Sequence, residues 1–179
     1  MNVVPKSPGF SRNNEAVFNP ANVKLELDAL KAMRDRGEQI SKTIKQACVD
    51  LILESAKQQV CTTGKWMISV GRDSVDMNWE MFARATANGH LGCGAKVSPS
   101  RELFDTDKAL IRIYVGDFTN KPEVQRVLLA LQKDVKWEIT WGFKPDVFTD
   151  LGIYSRNPWL LPPTIDSVKE ALQWFQPSL

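Results

Sequence analysis

The clearest pattern along the chain is the alternation in KALIRIYV (108–115), where Ala109, Ile111, Ile113 and Val115 interleave with Leu110, Arg112 and Tyr114. Period-two alternation predicts a strand with one apolar and one polar face. WMISV (66–70) predicts a second strand, with Trp66, Ile68 and Val70 opposing Lys65, Met67 and Ser69. GAKVS (94–98) predicts a third, with Ala95 and Val97 opposing Gly94, Lys96 and Ser98. KWEITWGF (136–143) alternates Trp137, Ile139 and Trp141 with Lys136, Glu138 and Thr140 and predicts a fourth, half-buried strand.

Between these runs the period lengthens to that of a helix. Val23, Leu27, Leu30 and Met33 mark one over 21–36, broken at Gly37. Ile40, Ile44, Ala47, Cys48, Leu51 and Ile52 form the stripe of another over 38–60. Asp73 is placed to cap a third, with Val75, Trp79, Phe82 and Thr86 inward and Gly89 as its stop. In TNKPEV, Asn120 with Glu123 matches a capping box, Pro122 is tolerated in the first turn, and Val124, Val127, Leu128 and Leu131 form the apolar face. Residues 144–163 are punctuated by Pro and Gly and predict an ordered loop; IDSVKEALQWF (165–175) predicts a last amphipathic helix. The order α, α, β, α, β, β, α, β, loop, α predicts an α+β fold, one sheet with helices on one face. Residues 1–20, rich in Pro, Asn and Ser, predict an irregular arm ahead of one domain over 21–179.

Composition narrows the function classes. With 43% hydrophobic and 25% charged residues, the chain has the make-up of an ordinary globular protein. A net charge of +2 is too small for a protein that coats nucleic acid, so any basic site must come from local placement. Three cysteines without a C-x-x-C pair and a single histidine argue against a disulfide scaffold and a zinc site; no metal and no cofactor is expected. The absence of a long apolar run or a signal-like start predicts no membrane association and a cytoplasmic or nuclear location. His90 in its turn and the three cysteines read as a surface residue and as small buried hydrophobes. Trp66, Trp79, Trp137 and Trp141 read as core, and Trp159 in NPWLLPP as the best exposed platform.

GHLGCGAKVS (89–98) has the look of a phosphate loop, and fails as one. Gly89 and Gly94 have the P-loop spacing, but Ala95 precedes Lys96 and Val97 takes the hydroxyl position. The dinucleotide pattern fails too, since Val97 stands where Gly or Ala belongs. Lys96 draws interest through strand parity instead. Lys65, Lys96, Arg112 and Tyr114 all fall on the face opposite the apolar one, and the three strands place no carboxylate there. Like charges on a sheet face repel unless an anion or a carboxylate answers them. Glu138 is the nearest such acid in the sequence; otherwise the pattern predicts an anion-binding face for a phosphate, a phosphopeptide or RNA. Arg101 after the third strand, and Lys144 and Arg156 on the long loop, extend the set.

Several stretches also carry resemblances. GKWMISV, VDMNWE, GHLGCGAKVS, KALIRIYVGDFTNKPEVQRVLLAL and KPDVFTDLGIYSRNPW resemble the uncharacterised basophilic-leukemia-expressed (Bles) family over about residues 62–160. That resemblance implies a fold like translation initiation factor 4E, a strongly curved, mainly antiparallel sheet with helices on its convex back. GKWMISV, CGAKVSPSR and KALIRIYV with NKPEV resemble segments of the factor itself. Its cap-binding tryptophans and glutamate have no match in SAKQQVCTT before Gly64, and Trp79-Glu80 falls on a predicted helix. A third resemblance links AKVS, IRIYV and YSRN to phosphothreonine lyases, which implies Lys96 as general base and Tyr114 and Arg156 as phosphate holders. Met67 stands where those enzymes carry a histidine acid. The combined expectation is a non-enzymatic module whose basic concave face binds a phosphate-bearing ligand, RNA or a phosphopeptide. The lyase-like enzyme and a protein-interaction scaffold are the alternatives.

Overall fold

The structure is a computed structural model that describes residues 17–98, 108–133 and 142–165, and the backbone of residues 2–3. Five strands form one antiparallel sheet: β1 (Asn2–Val3), β2 (Gly64–Gly71), β3 (Gly94–Val97), β4 (Lys108–Val115) and β5 (Phe143–Pro145), in the order β1-β3-β4-β2-β5. The alternating run KALIRIYV is the central strand, paired with β2 over its whole length, from Gly64 opposite Val115 to Gly71 opposite Lys108. Helices α1 (Lys24–Asp35), α2 (Lys42–Gln58), α3 (Val75–Ala87), α4 (Lys121–Lys133) and the short α5 (Asp146–Asp150) complete the described architecture, which is α+β.

Burial follows strand parity. On β4, Ala109, Ile111, Ile113 and Val115 are buried, while Leu110, Arg112 and Tyr114 are half-buried. The buried set joins Trp66, Ile68 and Val70 of β2 and Ala95 of β3 in one core with Leu27 and Leu30 of α1, Ile52 and Ala56 of α2, Phe82 of α3, and Val124, Leu128 and Leu131 of α4. Trp66 fixes the α4 layer: its indole Nε1 donates to the Val124 carbonyl at 3.1 Å, and its ring meets Phe143 edge-on at 5.3 Å. An edge-on aromatic pair contributes about 0.5–1.5 kcal/mol beyond its buried area.

Several local expectations are corrected. α3 starts at Val75 after a 3-10 turn, and Asp73 does not cap it; Ser74 precedes the helix, its hydroxyl donating to the Gly71 carbonyl and accepting from Asn78. In α2 the stripe is buried only from Cys48 onward, and Ile44 and Ala47 face solvent. Residues 144–163 are not all loop, because they include part of β5 and α5. Trp159 is half-buried against the core rather than an exposed platform. The fourth predicted strand is described only from Phe143, so Trp137, Glu138 and Trp141 lie outside the described residues, as do Arg101 and the helix expected over 165–175 beyond Ile165.

The GHLGCG stretch is a tight link rather than a loop for a ligand. Gly89 ends α3 with φ of 75°, a left-handed conformation that glycine takes without strain. Gly92 lets the backbone pass close to β4: a Cβ there would stand 1.9 Å from the Tyr114 carbonyl oxygen. Arg126 of α4 holds the link by donating to the His90 and Leu91 carbonyls at 3.0 and 3.2 Å, and its other contacts are to Glu123.

Candidate functional site

Register decides which of the predicted cations meet. Lys96 of β3 lies directly opposite Arg112 of β4, which lies opposite Met67 of β2. In the next rung of the same face, Gly94 opposes Tyr114, Tyr114 opposes Lys65, and Lys65 opposes Lys144 of β5. Four cations from four strands thus share the face that the core leaves, where sequence parity placed three. Lys144 belongs to the sheet and not to the ordered loop expected over 144–163.

Their environments differ sharply. Lys96 is exposed and Arg112 half-buried, and neither forms an ion pair with a carboxylate among the described residues. Lys65 is only 6% exposed. Its ammonium pairs with Asp146, donates to Thr149 Oγ1 at 3.0 Å, and lies 5.6 Å from the centre of the Tyr114 ring. Asp146 also accepts from Thr63 Oγ1 at 2.7 Å, and its backbone N–H donates to the Thr63 carbonyl at 2.9 Å. Lys144 is 3% exposed; its ammonium donates to the Ile153 carbonyl at 2.8 Å and sits 3.8 Å from the centre of the Tyr154 ring. Burial first, then the charges of Lys65 and Arg112, lower the Lys144 ammonium to about 8, against the opposing pull of Asp146. Met67, 7% exposed, is buried outside the main core and supplies an apolar floor beside Arg112.

Arg156 stands exposed on the turn after Tyr154 and makes no ion pair among the described residues. Three participants escaped sequence reasoning: Asp146, Thr149 and Tyr154. Asp146 lies 81 residues from Lys65, so no local spacing connects them. The one available signal is the Pro-Asp step in KPDVFTD, which starts a helix with an acid in its first turn. Burial and then Glu26 push the Cys48 thiol up to about 11, and burial raises Cys61 and Cys93 as well, which disfavours the reactive thiolate. No group of His, Cys, Asp or Glu among the described residues is placed to hold a metal ion, and no helix among them is long and apolar enough to cross a membrane.

Fold and face together define a class: an α+β protein whose single antiparallel sheet is backed by helices and carries clustered cations on its other face. The family pattern described as Basophilic leukemia-expressed protein Bles03 matches residues 18–152, most of the chain, and the protein belongs to that family. The match includes Lys65, Lys96, Arg112, Tyr114, Lys144 and Asp146, and ends just before Tyr154.

Proposed function

We propose that this protein is a non-enzymatic binding module whose cationic sheet face takes a phosphate-bearing ligand, with a sheet-and-helix layout of the translation initiation factor 4E kind. The observation that carries the reading is the charge count on one face. Lys65, Lys96, Arg112 and Lys144 are answered by one described carboxylate, Asp146, which is bound to Lys65. Directly opposed like charges destabilise a sheet by a few tenths to about 1 kcal/mol per pair, and an anion between Lys96 and Arg112 would reverse that sign. Lys96 and Arg112 are the contact residues, and Tyr114 and Lys65 shape the neighbouring rung.

A phosphopeptide fits better than RNA. Sequence-tolerant RNA binding uses exposed aromatic faces for base stacking. Among the described residues, Trp66 is buried, Trp79 and Trp159 pack on the core, and the exposed ring of Tyr154 is held over Lys144. Absence of catalysis is favoured by Met67, which lies directly opposite Arg112 where a lyase needs a proton donor, and a thioether has no proton to give.

Calorimetry with a phosphothreonine peptide, its unphosphorylated twin and a short RNA tests the reading, with mass spectrometry of the peptide afterwards. The phosphopeptide should bind in a salt-dependent way with its mass unchanged, and Arg112→Ala with Lys96→Ala should weaken it about 10- to 100-fold, the loss of charge-assisted hydrogen bonds. No binding, or binding untouched by the double substitution, sinks the proposal. RNA bound in preference to the peptide would replace the ligand class, and loss of phosphate from the peptide would make the protein an enzyme.

A further inference from the structure

Among the described residues, Lys144 is the cation of the face that is buried without a carboxylate of its own. β2 directs Lys65 toward it across the register, β4 adds Arg112 and Tyr114, and β3 adds Lys96 one rung away. From the other side come the Asp146 carboxylate, whose charge pulls the other way, and the Tyr154 ring. Asp146 is held by Lys65 and Thr63. What remains for the Lys144 ammonium is the Ile153 carbonyl oxygen at 2.8 Å and the face of the Tyr154 ring at 3.8 Å, both without formal charge. A buried ammonium with neutral partners, in the field of neighbouring cations, is held in its charged form weakly. Any anion that settles against Arg112 and Lys96 offsets those cations and strengthens the hold on the Lys144 proton.

The size of that effect depends on the charge of the anion. A singly charged diester, as in a nucleic-acid backbone, offsets about one of the two contact cations. A phosphate monoester carries about −1.5 to −2 at neutral pH and offsets both. Resting on the reading above, we propose that the face selects dianionic phosphate monoesters over diesters, and that Lys144 gains part of a proton from solvent as the dianion binds in mildly alkaline solution. Lys144 acts here through the field and not by contact: at 3% exposure it lies beneath the surface that the ligand meets.

The test is calorimetry on the whole chain with a phosphothreonine peptide and with dimethyl phosphate, at pH 8.5 in two buffers of unlike ionisation enthalpy. The peptide should bind with net proton uptake, and its affinity should fall about tenfold from pH 7.5 to 9.5, as follows when a group at about 8 rises on binding toward the ordinary lysine value. Dimethyl phosphate should bind at least tenfold more weakly. Lys144→Met, which keeps the length and removes the charge, should abolish the proton uptake. If that variant does not fold, carbon-labelled lysine in the unaltered protein reports the same event by nuclear magnetic resonance: the Lys144 titration midpoint should rise when the peptide is added. Peptide binding without proton uptake, equal affinity for the diester, or an unmoved Lys144 midpoint overturns this inference and leaves the binding module standing. Failure of every phosphate probe to bind removes both.

Discussion

Val60 leaves α2 with φ of 58° and is 78% exposed. Its left-handed backbone closes the helix, with the Cys61 N–H donating to the Ala56 carbonyl at 2.8 Å and the Val60 N–H to Lys57 at 3.1 Å. A left-handed conformation costs an L-residue about 1–2 kcal/mol, and more when it is β-branched. Glycine avoids that strain but loses about 0.5–1 kcal/mol through its freer unfolded chain. Val60→Gly should therefore raise stability by about 0.5–1 kcal/mol, seen as a higher urea midpoint at unchanged slope; a lower midpoint would contradict the strain. The expected end at residue 60 lies close to the observed one, but its left-handed closure was not legible, because QQVCTT offers no glycine where the geometry wants one. The stop at Gly89 was, because there residue type and geometry agree.

Between elements, the Lys65–Asp146 pair joins β2 to α5, with Thr63 and Thr149 taking the remaining bonds. Replacing one partner leaves a buried charge without its counter-charge, which outweighs the modest net value of the pair itself. Asp146→Asn should destabilise the fold by about 2–4 kcal/mol in urea unfolding, and adding Lys65→Met should recover much of that loss. A double variant as unstable as the sum of the two single changes would show that the pair is not the source. Beyond α5, Asn157 pins the turn: its side chain donates to the Tyr154 and Leu161 carbonyls at 2.7 and 2.8 Å and accepts from the Trp159 and Leu161 N–H groups. The strands and long helices were readable from their periods, since apolar spacing of two or 3.6 residues is a local property. Asp146 and Asn157 were not, because polar residues outside a periodic apolar pattern acquire roles only from what folds against them.

Taken whole, the molecule carries a net charge of only +2, so the cationic face is a matter of placement and not of composition. Placement also has a consequence for stability against pH. The Lys144 ammonium titrates near 8 when folded and at 10.5 in its ordinary state. Between those values the unfolded chain binds more protons, so this group's contribution to stability rises with pH; below about 8 the folded state must hold the charge. Thermal melts of the protein and of Lys144→Met from pH 7 to 10 should show the Tm difference shifting in favour of the unaltered protein as pH rises. A constant difference would mean that Lys144 titrates as it does in the unfolded chain.

Alternation in KALIRIYV determined by itself that Arg112 and Tyr114 share a face opposite Ile111 and Ile113, because successive strand side chains point to opposite sides. The same rule put Lys65 and Lys96 on polar faces of their own strands. Only the tertiary structure decided which rungs align. Sheet order and register set Lys96 against Arg112 and Lys65 against Tyr114, brought Lys144 in from β5, and paired Asp146 with Lys65. Periodicity within a strand is written in neighbouring residues. Which charge is answered depends on contacts between segments far apart in the chain, and on burial, which leaves one lysine a solvated cation and makes another an ammonium that holds its proton weakly.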